Sequence, residues 1–260
     1  MDSPTPKSSD PQARIQAYLR VAAARGRDTE QIGPFLATFT SRADNPFLNY
    51  AIPDDGADPT ALEAAALMAA FERRGRRPRL EYADALAPAV EPVLVRAGFS
   101  AEARMPLMTC TPGAERPQPI PAGIELILPR SDAELLGMVA AQNEAYGDVQ
   151  PAPEDAMRLR ASLAAGMIAV LARDAEKKEA AGAGICTGPQ DGLTEVAAIG
   201  VRPAFRRRGI AGALAARLTR EAFGAGVTLA FLMAAHEAEG HIYARAGFSV
   251  AGEILHISHP

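Results

Sequence analysis

The chain contains no tryptophan, and only 5% of its 260 residues are aromatic. Cysteine is scarce. Cys110 and Cys186 lie far apart without CxxC spacing, which excludes a disulfide framework or cysteine-based zinc site and makes both small buried hydrophobes. Of the four histidines, His236 and His241 are five apart and miss the i, i+4 pairing of a helical metal site, so no metal is expected. No apolar run approaches the roughly 18 residues a membrane helix needs, so no membrane partner is expected. A formal net charge of -4 excludes a general attraction to nucleic acid. Residues 1–10, MDSPTPKSSD, are polar and proline-broken, which predicts a disordered tail rather than a secretion signal and a cytoplasmic location.

What is present is a globular composition, 48% hydrophobic and 22% charged, on a chain long enough for two domains. The proline-rich stretch TPGAERPQPIPAG reads as a linker over residues 111–122 between domains at 1–110 and 123–260. Across it, the pentapeptide Arg-Ala-Gly-Phe-Ser at 96–100 recurs identically at 245–249, an offset of 149. Carried back without gaps, that offset lays Leu80 and Tyr82 on Leu229 and Phe231, and Tyr50 and Ile52 on Ile199 and Val201. Apolar pattern meets apolar pattern throughout, which predicts a duplicated fold.

The second copy is the better patterned. A strand at 123–129 precedes Ser131 and Glu134, a capping box opening a helix towards Tyr146. A second helix covers 154–165, and three successive strands cover 167–173, 180–187 and 193–201. A long helix over 209–222 carries Ile210, Leu214 and Leu218 on one face. A strand at 227–233, a short helix at 237–246 and two closing strands about Gly252 complete an α/β fold on a mixed sheet.

Between the third of those strands and the long helix stands RRRGIAG: Arg206, Arg207, Arg208, Gly209, Ile210, Ala211 and Gly212. A helix start leaves its first N–H groups without acceptors and carries the positive end of the dipole, so it seats an anion. Glycines admit close approach, and three arginines add donors suited to phosphate oxygens. The segment reads as a pyrophosphate seat. No Gly-Lys-Ser/Thr follows, which disfavours a P-loop hydrolase.

The strand LTEVAAIGV, the loop VRPAFRRRGIAG and the later IYARAGF, in that order, resemble the GNAT superfamily of acyl-CoA N-acyltransferases over residues 123–257. The family's Arg/Gln-x-x-Gly-x-Gly/Ala loop is met by Arg206, Gly209 and Ala211. With the internal repeat, the layout is similar to tandem GNAT proteins. The resemblance implies two tandem GNAT-like domains, each a mixed, mostly antiparallel twisted sheet flanked by helices. It implies transfer of an acetyl group from acetyl-CoA, the co-substrate, to an amine of a small molecule or peptide by direct attack. The backbone of Ile199, Gly200 and Val201 would pair with the pantetheine amides. Glu195, fourteen residues before Gly209, falls where many members place a base, and desolvation in an apolar strand suits a carboxylate to that role. Tyr243 falls where the family protonates the departing thiolate. His236 replaces the asparagine common seven residues before that tyrosine; a helix-capping or surface role is expected for it, while Glu195, His236 and water stay open as the base. The acceptor would be bounded by residues 143–155, where Glu144, Tyr146 and Asp148 are the polar candidates, and by the last strands.

Offset by 149, the first copy lacks this equipment. Arg206, Arg207 and Arg208 fall on Ala57, Asp58 and Pro59, Gly209 on Thr60, Tyr243 on Leu94 and Glu195 on Pro46. Its loop, DDGADPT, sets carboxylates at the helix start, which cap the helix and repel phosphate. A catalytically silent first copy is expected. The competing reading is a non-catalytic CoA-binding sensor or interaction module, which retains RRRGIAG and needs neither Glu195 nor Tyr243. The sequence leaves monomer and homodimer open.

Overall fold

The computed structural model describes residues 9–40 and 48–260. Most of the expected tail, and Pro46, lie outside them. The chain forms two compact units, one of Met1–Leu107 with Ala251–Pro260 and one of Met108–Val250.

The first unit begins with α1 (Pro11–Ala24), β1 (Asp28–Ile32), β2 (Phe35–Phe39) and β3 (Tyr50–Pro53). It continues with α2 (Ala61–Glu72), β4 (Arg79–Ala83), α3 (Val90–Arg96) and the greater part of β5 (Ser100–Cys110). The second unit holds β6 (Ile124–Ile127), α4 (Asp132–Tyr146), α5 (Pro153–Ala164), β7 (Ile168–Asp174), β8 (Ala180–Cys186) and β9 (Leu193–Val201). After these come α6 (Ile210–Gly224), β10 (Leu229–Met233), α7 (Glu237–Arg245) and the start of β11 (Ser249–Ser258).

In the first unit β1, β2, β3, β4 and β11 lie in that order, and β4 pairs antiparallel with β11 from Arg79↔Ser258 to Ala83↔Ile254. Leu255 and Ile257 of β11 are fully buried in that unit's core beside Phe35, Phe71 and Tyr82. In the second unit the order is β10, β9, β8, β7, β6. Its α6 buries Ile210, Leu214 and Leu218, the face foreseen from their spacing, in a core that also takes Met108 and Cys110 from the end of β5. The final strand of the second copy is therefore built into the core of the first unit, and the end of β5 into the core of the second. The sequence reading, which expected contiguous domains, contains no signal for this, because an apolar strand carries no label of the sheet it joins.

Most elements keep the offset of 149: α2 and α6 begin at Ala61 and Ile210, α3 and α7 end at Arg96 and Arg245, and β5 and β11 begin at Ser100 and Ser249. The strand β3 does not. Ala51 pairs with Leu80 of β4, whereas the offset partner of Leu80, Leu229, pairs with Leu193 of β9. Ten residues separate Ala51 from the start of α2 and seventeen separate Leu193 from the start of α6. The first copy is seven residues shorter between strand and helix, and the gapless alignment of Tyr50 and Ile52 with Ile199 and Val201 is displaced by that amount.

Two other expectations change. The two strands foreseen about Gly252 are one continuous β11, in which Gly252 lies against the Gln12 amide. The proline-rich segment 111–122 lies within the second unit and is docked. Its Arg116 N–H donates to the Ala246 carbonyl at 2.9 Å, Gln118 Nε2 donates to the Arg245 carbonyl at 2.6 Å, and Gly247, at φ 104°, leaves no room for a Cβ against the Ala114 carbonyl. The fold so drawn predicts that deleting residues 251–260 strips protection from hydrogen exchange from the β4 amides facing β11, while β7 and β8 keep theirs. Unchanged protection across residues 79–83 contradicts the strand assignment.

Candidate active site

The anion seat foreseen at 206–212 has the required geometry in its main chain. Gly209 is the N-cap of α6 at φ 90° and ψ 4°, a left-handed conformation that glycine alone adopts without strain, and no side chain caps the helix. The first intrahelical donor is the Ala213 N–H, bonded to the Gly209 carbonyl at 3.1 Å. The N–H groups of Gly209, Ile210, Ala211 and Gly212 therefore have no acceptor among the described residues. Arg207 is also left-handed, at φ 59°.

The arginine side chains are disposed otherwise than the sequence led us to expect. Arg206 donates to the Val201 carbonyl at 3.1 Å and, through Nη2, to the Ala145 carbonyl at 3.0 Å, and its own N–H is taken by the Pro203 carbonyl. Arg208 donates to the Ala122 carbonyl at 3.0 Å and lies over the Phe205 ring. Both brace the loop. Only the Arg207 guanidinium makes no hydrogen bond or ion pair among the described residues. Gly212 faces the Ile242 side chain, where a Cβ would find ordinary contact distance, 3.5 Å, so packing does not demand a glycine there.

Beside the seat, the sheet forks. Parallel pairing of β9 with β10 runs from Leu193↔Leu229 to Glu195↔Phe231 and stops. Beyond it, β9 turns away through a bulge. Ala183 and Ile185 of β8 oppose Gly200 and Ala197, so two residues, Ala198 and Ile199, face Gly184 alone. Ala198 takes φ 52°, and Gln142 Nε2 from α4 holds its carbonyl at 2.7 Å. On the β10 side, the backbone of Ile199, Gly200 and Val201 is thus left without a strand partner. Ala198 and Gln142 escaped the sequence reading, because alanine has no preference for left-handed backbone that would mark a bulge.

Glu195 occupies the last paired position before the fork, its N–H donating to Thr187 Oγ1 at 3.0 Å. Tyr243 on α7 is 8% exposed and packs edge-on against Phe248. Burial, reinforced by the Glu239 carboxylate and by Tyr146, pushes its phenol above the ordinary value. Its hydroxyl makes no protein hydrogen bond among the described residues. His236 caps α7: its Nδ1 accepts the Glu239 N–H at 3.3 Å, and Glu239 Oε2 accepts the Ala235 N–H in return. Of the polar groups noted for the acceptor side, Glu144 is engaged by Arg202 at 2.6 Å, while Tyr146 is 58% exposed with its ring over Gly200. Both cysteines are buried thiols, Cys110 pushed up to about 11 by burial and the nearby Glu115 carboxylate, and Cys186 to about 12 by burial, so neither is a nucleophile near neutrality. Among the described residues no group of three or more histidine, cysteine or acidic side chains is placed to hold a metal, and no helix is long and apolar enough to cross a membrane.

The corresponding place in the first unit is closed. The N-terminus of α2 carries a capping box: Thr60 Oγ1 accepts the Glu63 N–H at 3.2 Å, and Glu63 Oε2 accepts the Thr60 N–H at 2.7 Å. These side chains, not the loop aspartates, occupy the helix start; Asp54 pairs with Arg20 and Asp55 accepts from Gln16. Gln16 of α1, fully buried, spans the ends of β3 and β4, donating to the Pro53 carbonyl and accepting the Ala83 N–H at 2.9 Å. By the pairing register, Pro53 stands level with Glu195, so this strand ends where the fork of the second unit begins.

Residues 134–248 match the model of the Acetyltransferase (GNAT) family. Among solved structures the chain is similar to a GCN5-related N-acetyltransferase from Kribbella flavida, at 27% identity and TM-score 0.81, over 97% of each chain. A GCN5-related N-acetyltransferase from Sphaerobacter thermophilus has the same fold at 17% identity and TM-score 0.67, over 86% of this chain and 76% of that one. A tandem GNAT protein of the clavulanic acid biosynthesis pathway, solved without AcCoA, aligns over 86% of this chain and 77% of its own at 14% identity and TM-score 0.62. No curated protein matches the sequence.

The two site glycines have opposite roles. A Cβ at Gly200 would lie 3.1 Å from the Ala145 Cβ and 3.2 Å from the Gln142 Cα, so Gly200→Ala should push α4 off β9 and destabilise the fold by about 1–3 kcal/mol in urea titration. Gly212→Ala, with its nearest neighbour at 3.5 Å, should be neutral or stabilising by up to about 1 kcal/mol. The reverse order would refute this packing.

Proposed function

We propose that the second unit transfers an acetyl group from acetyl-CoA to an amine. The observation that carries this reading is the uncapped start of α6 standing next to a forked sheet. A pyrophosphate on the N–H groups of Gly209, Ile210, Ala211 and Gly212 lies within reach of a pantetheine arm running along Ile199, Gly200 and Val201, which offers amide-to-amide pairing. The thioester then approaches Glu195 and Tyr243. Glu195 accepts the proton that the attacking amine sheds, directly or through water; the amine nitrogen bonds to the acetyl carbon and the carbon–sulfur bond breaks. Tyr243 gives its proton to the departing thiolate, a task suited to a phenol whose burial keeps it protonated far above neutrality.

The first unit is, in this reading, a degenerate copy in a tandem arrangement. Thr60 and Glu63 fill its anion seat from within, and the Gln16 amide supplies the hydrogen bonds between its diverging strands. Its role is structural, and the amine acceptor is a small molecule or peptide.

Thiol release from acetyl-CoA in the presence of a panel of amines tests the reading. Wild type should release thiol with at least one acceptor. Tyr243→Phe should lower turnover by roughly 10²- to 10⁴-fold with CoA affinity nearly unchanged, and Glu195→Gln should lower the rate and alter the acidic limb of the pH profile. Thiol release undiminished in Tyr243→Phe would remove the tyrosine from the mechanism, and no release with any amine would favour a CoA-binding module.

A further inference from the structure

The docked segment 111–122 does more than connect. It crosses the outer face of α6, and between them lies a shallow, open pocket of about 70 Å³. The pocket wall is apolar where Ile120, Leu126 and Ala216 meet, and three arginines, Arg116, Arg217 and Arg220, stand around it. Arg217 is held by Glu221 at 2.6 Å, and the one carboxylate of the lining, Glu115, accepts the Gly113 N–H at 2.6 Å. Arg116 and Arg220 make no ion pair or hydrogen bond with any described side chain, so two unpaired guanidiniums stand at the pocket against the single carboxylate charge of Glu115.

The pocket adjoins the anion seat. Gln118, part of its lining, has its Cγ 3.9 Å from where a Cβ would stand at Gly212, the last open N–H of the seat. On the other side of the seat, Arg208 grips the Ala122 carbonyl at the end of the same segment. From Gly209 to Arg217 the helix advances about 12 Å, the reach of a nucleotide whose diphosphate sits on the helix start. An apolar wall beside unpaired guanidiniums suits an aromatic base carrying a phosphate, since arginine both stacks on ring faces and binds phosphate through two donors.

We propose that this pocket holds the 3′-phosphorylated adenosine end of CoA, so that segment 111–122 is a wall of the cofactor site and Arg116 and Arg220 read the 3′-phosphate. The inference rests on the cofactor reading above and adds to it a residue-level preference for CoA over dephospho-CoA.

Calorimetric titration of the full chain with each compound is the test. Wild type should bind CoA about tenfold more tightly than dephospho-CoA, a preference that weakens with added salt. Arg116→Ala/Arg220→Ala, two exposed positions whose loss leaves the core intact, should abolish the preference while leaving the affinity for dephospho-CoA unchanged. Gly209→Val should weaken both compounds alike. Equal affinities in wild type, or a preference surviving in the double variant, overturns the pocket assignment alone. Failure of both compounds to bind wild type overturns the cofactor reading and this inference with it.

Discussion

Four main-chain N–H groups at the start of α6 have no acceptor among the described residues. Orphan donors at a helix end are normally met by a side chain of the preceding residue. Here that residue is Gly209, which has none, and its left-handed backbone excludes most replacements. The surroundings hold the opening in place. Arg206 ties the loop to β9 and to the carbonyl end of α4, Arg208 ties it to Ala122, and Leu214 and Leu218 anchor the helix in the core. The arginines thus position the seat, and the backbone forms it.

The same helix in the first unit shows what closes such a seat. Replacing glycine by Thr60 and placing Glu63 three residues on converts open donors into a reciprocal capping box. Seven fewer residues between β3 and α2 remove the bulged stretch that in β9 runs past the fork, and Gln16 bridges the strand ends that remain. Each change favours the stability of an isolated fold over the capacity to bind an anion. Capping is worth about 0.5–2 kcal/mol to a helix, so the uncapped α6 carries a stability deficit that a bound anion would offset.

Much of this was legible in the sequence, and the illegible parts share a cause. The capping box of Ser131 and Glu134, the strand from Leu193 to Val201 and the buried face of α6 were readable because each depends on local residue type and spacing. The offset located helix starts and turns but slipped at β3, since a loop shortened by seven residues is invisible to a gapless comparison. The bulge at Ala198 leaves no trace because its cause, Gln142 gripping a carbonyl, comes from another element. Proline content correctly marked segment 111–122 as irregular, yet composition does not say what an irregular segment packs against. Nor did three adjacent arginines disclose that two of them would turn to neighbouring carbonyls.

The central claim is that one open helix start, and one only, serves the cofactor. Calorimetric stoichiometry tests it most directly. The account predicts one CoA per chain, with binding lost in Gly209→Val and retained in Thr60→Gly, a change in the first unit's cap. Two CoA per chain, or binding that persists in Gly209→Val, would contradict it.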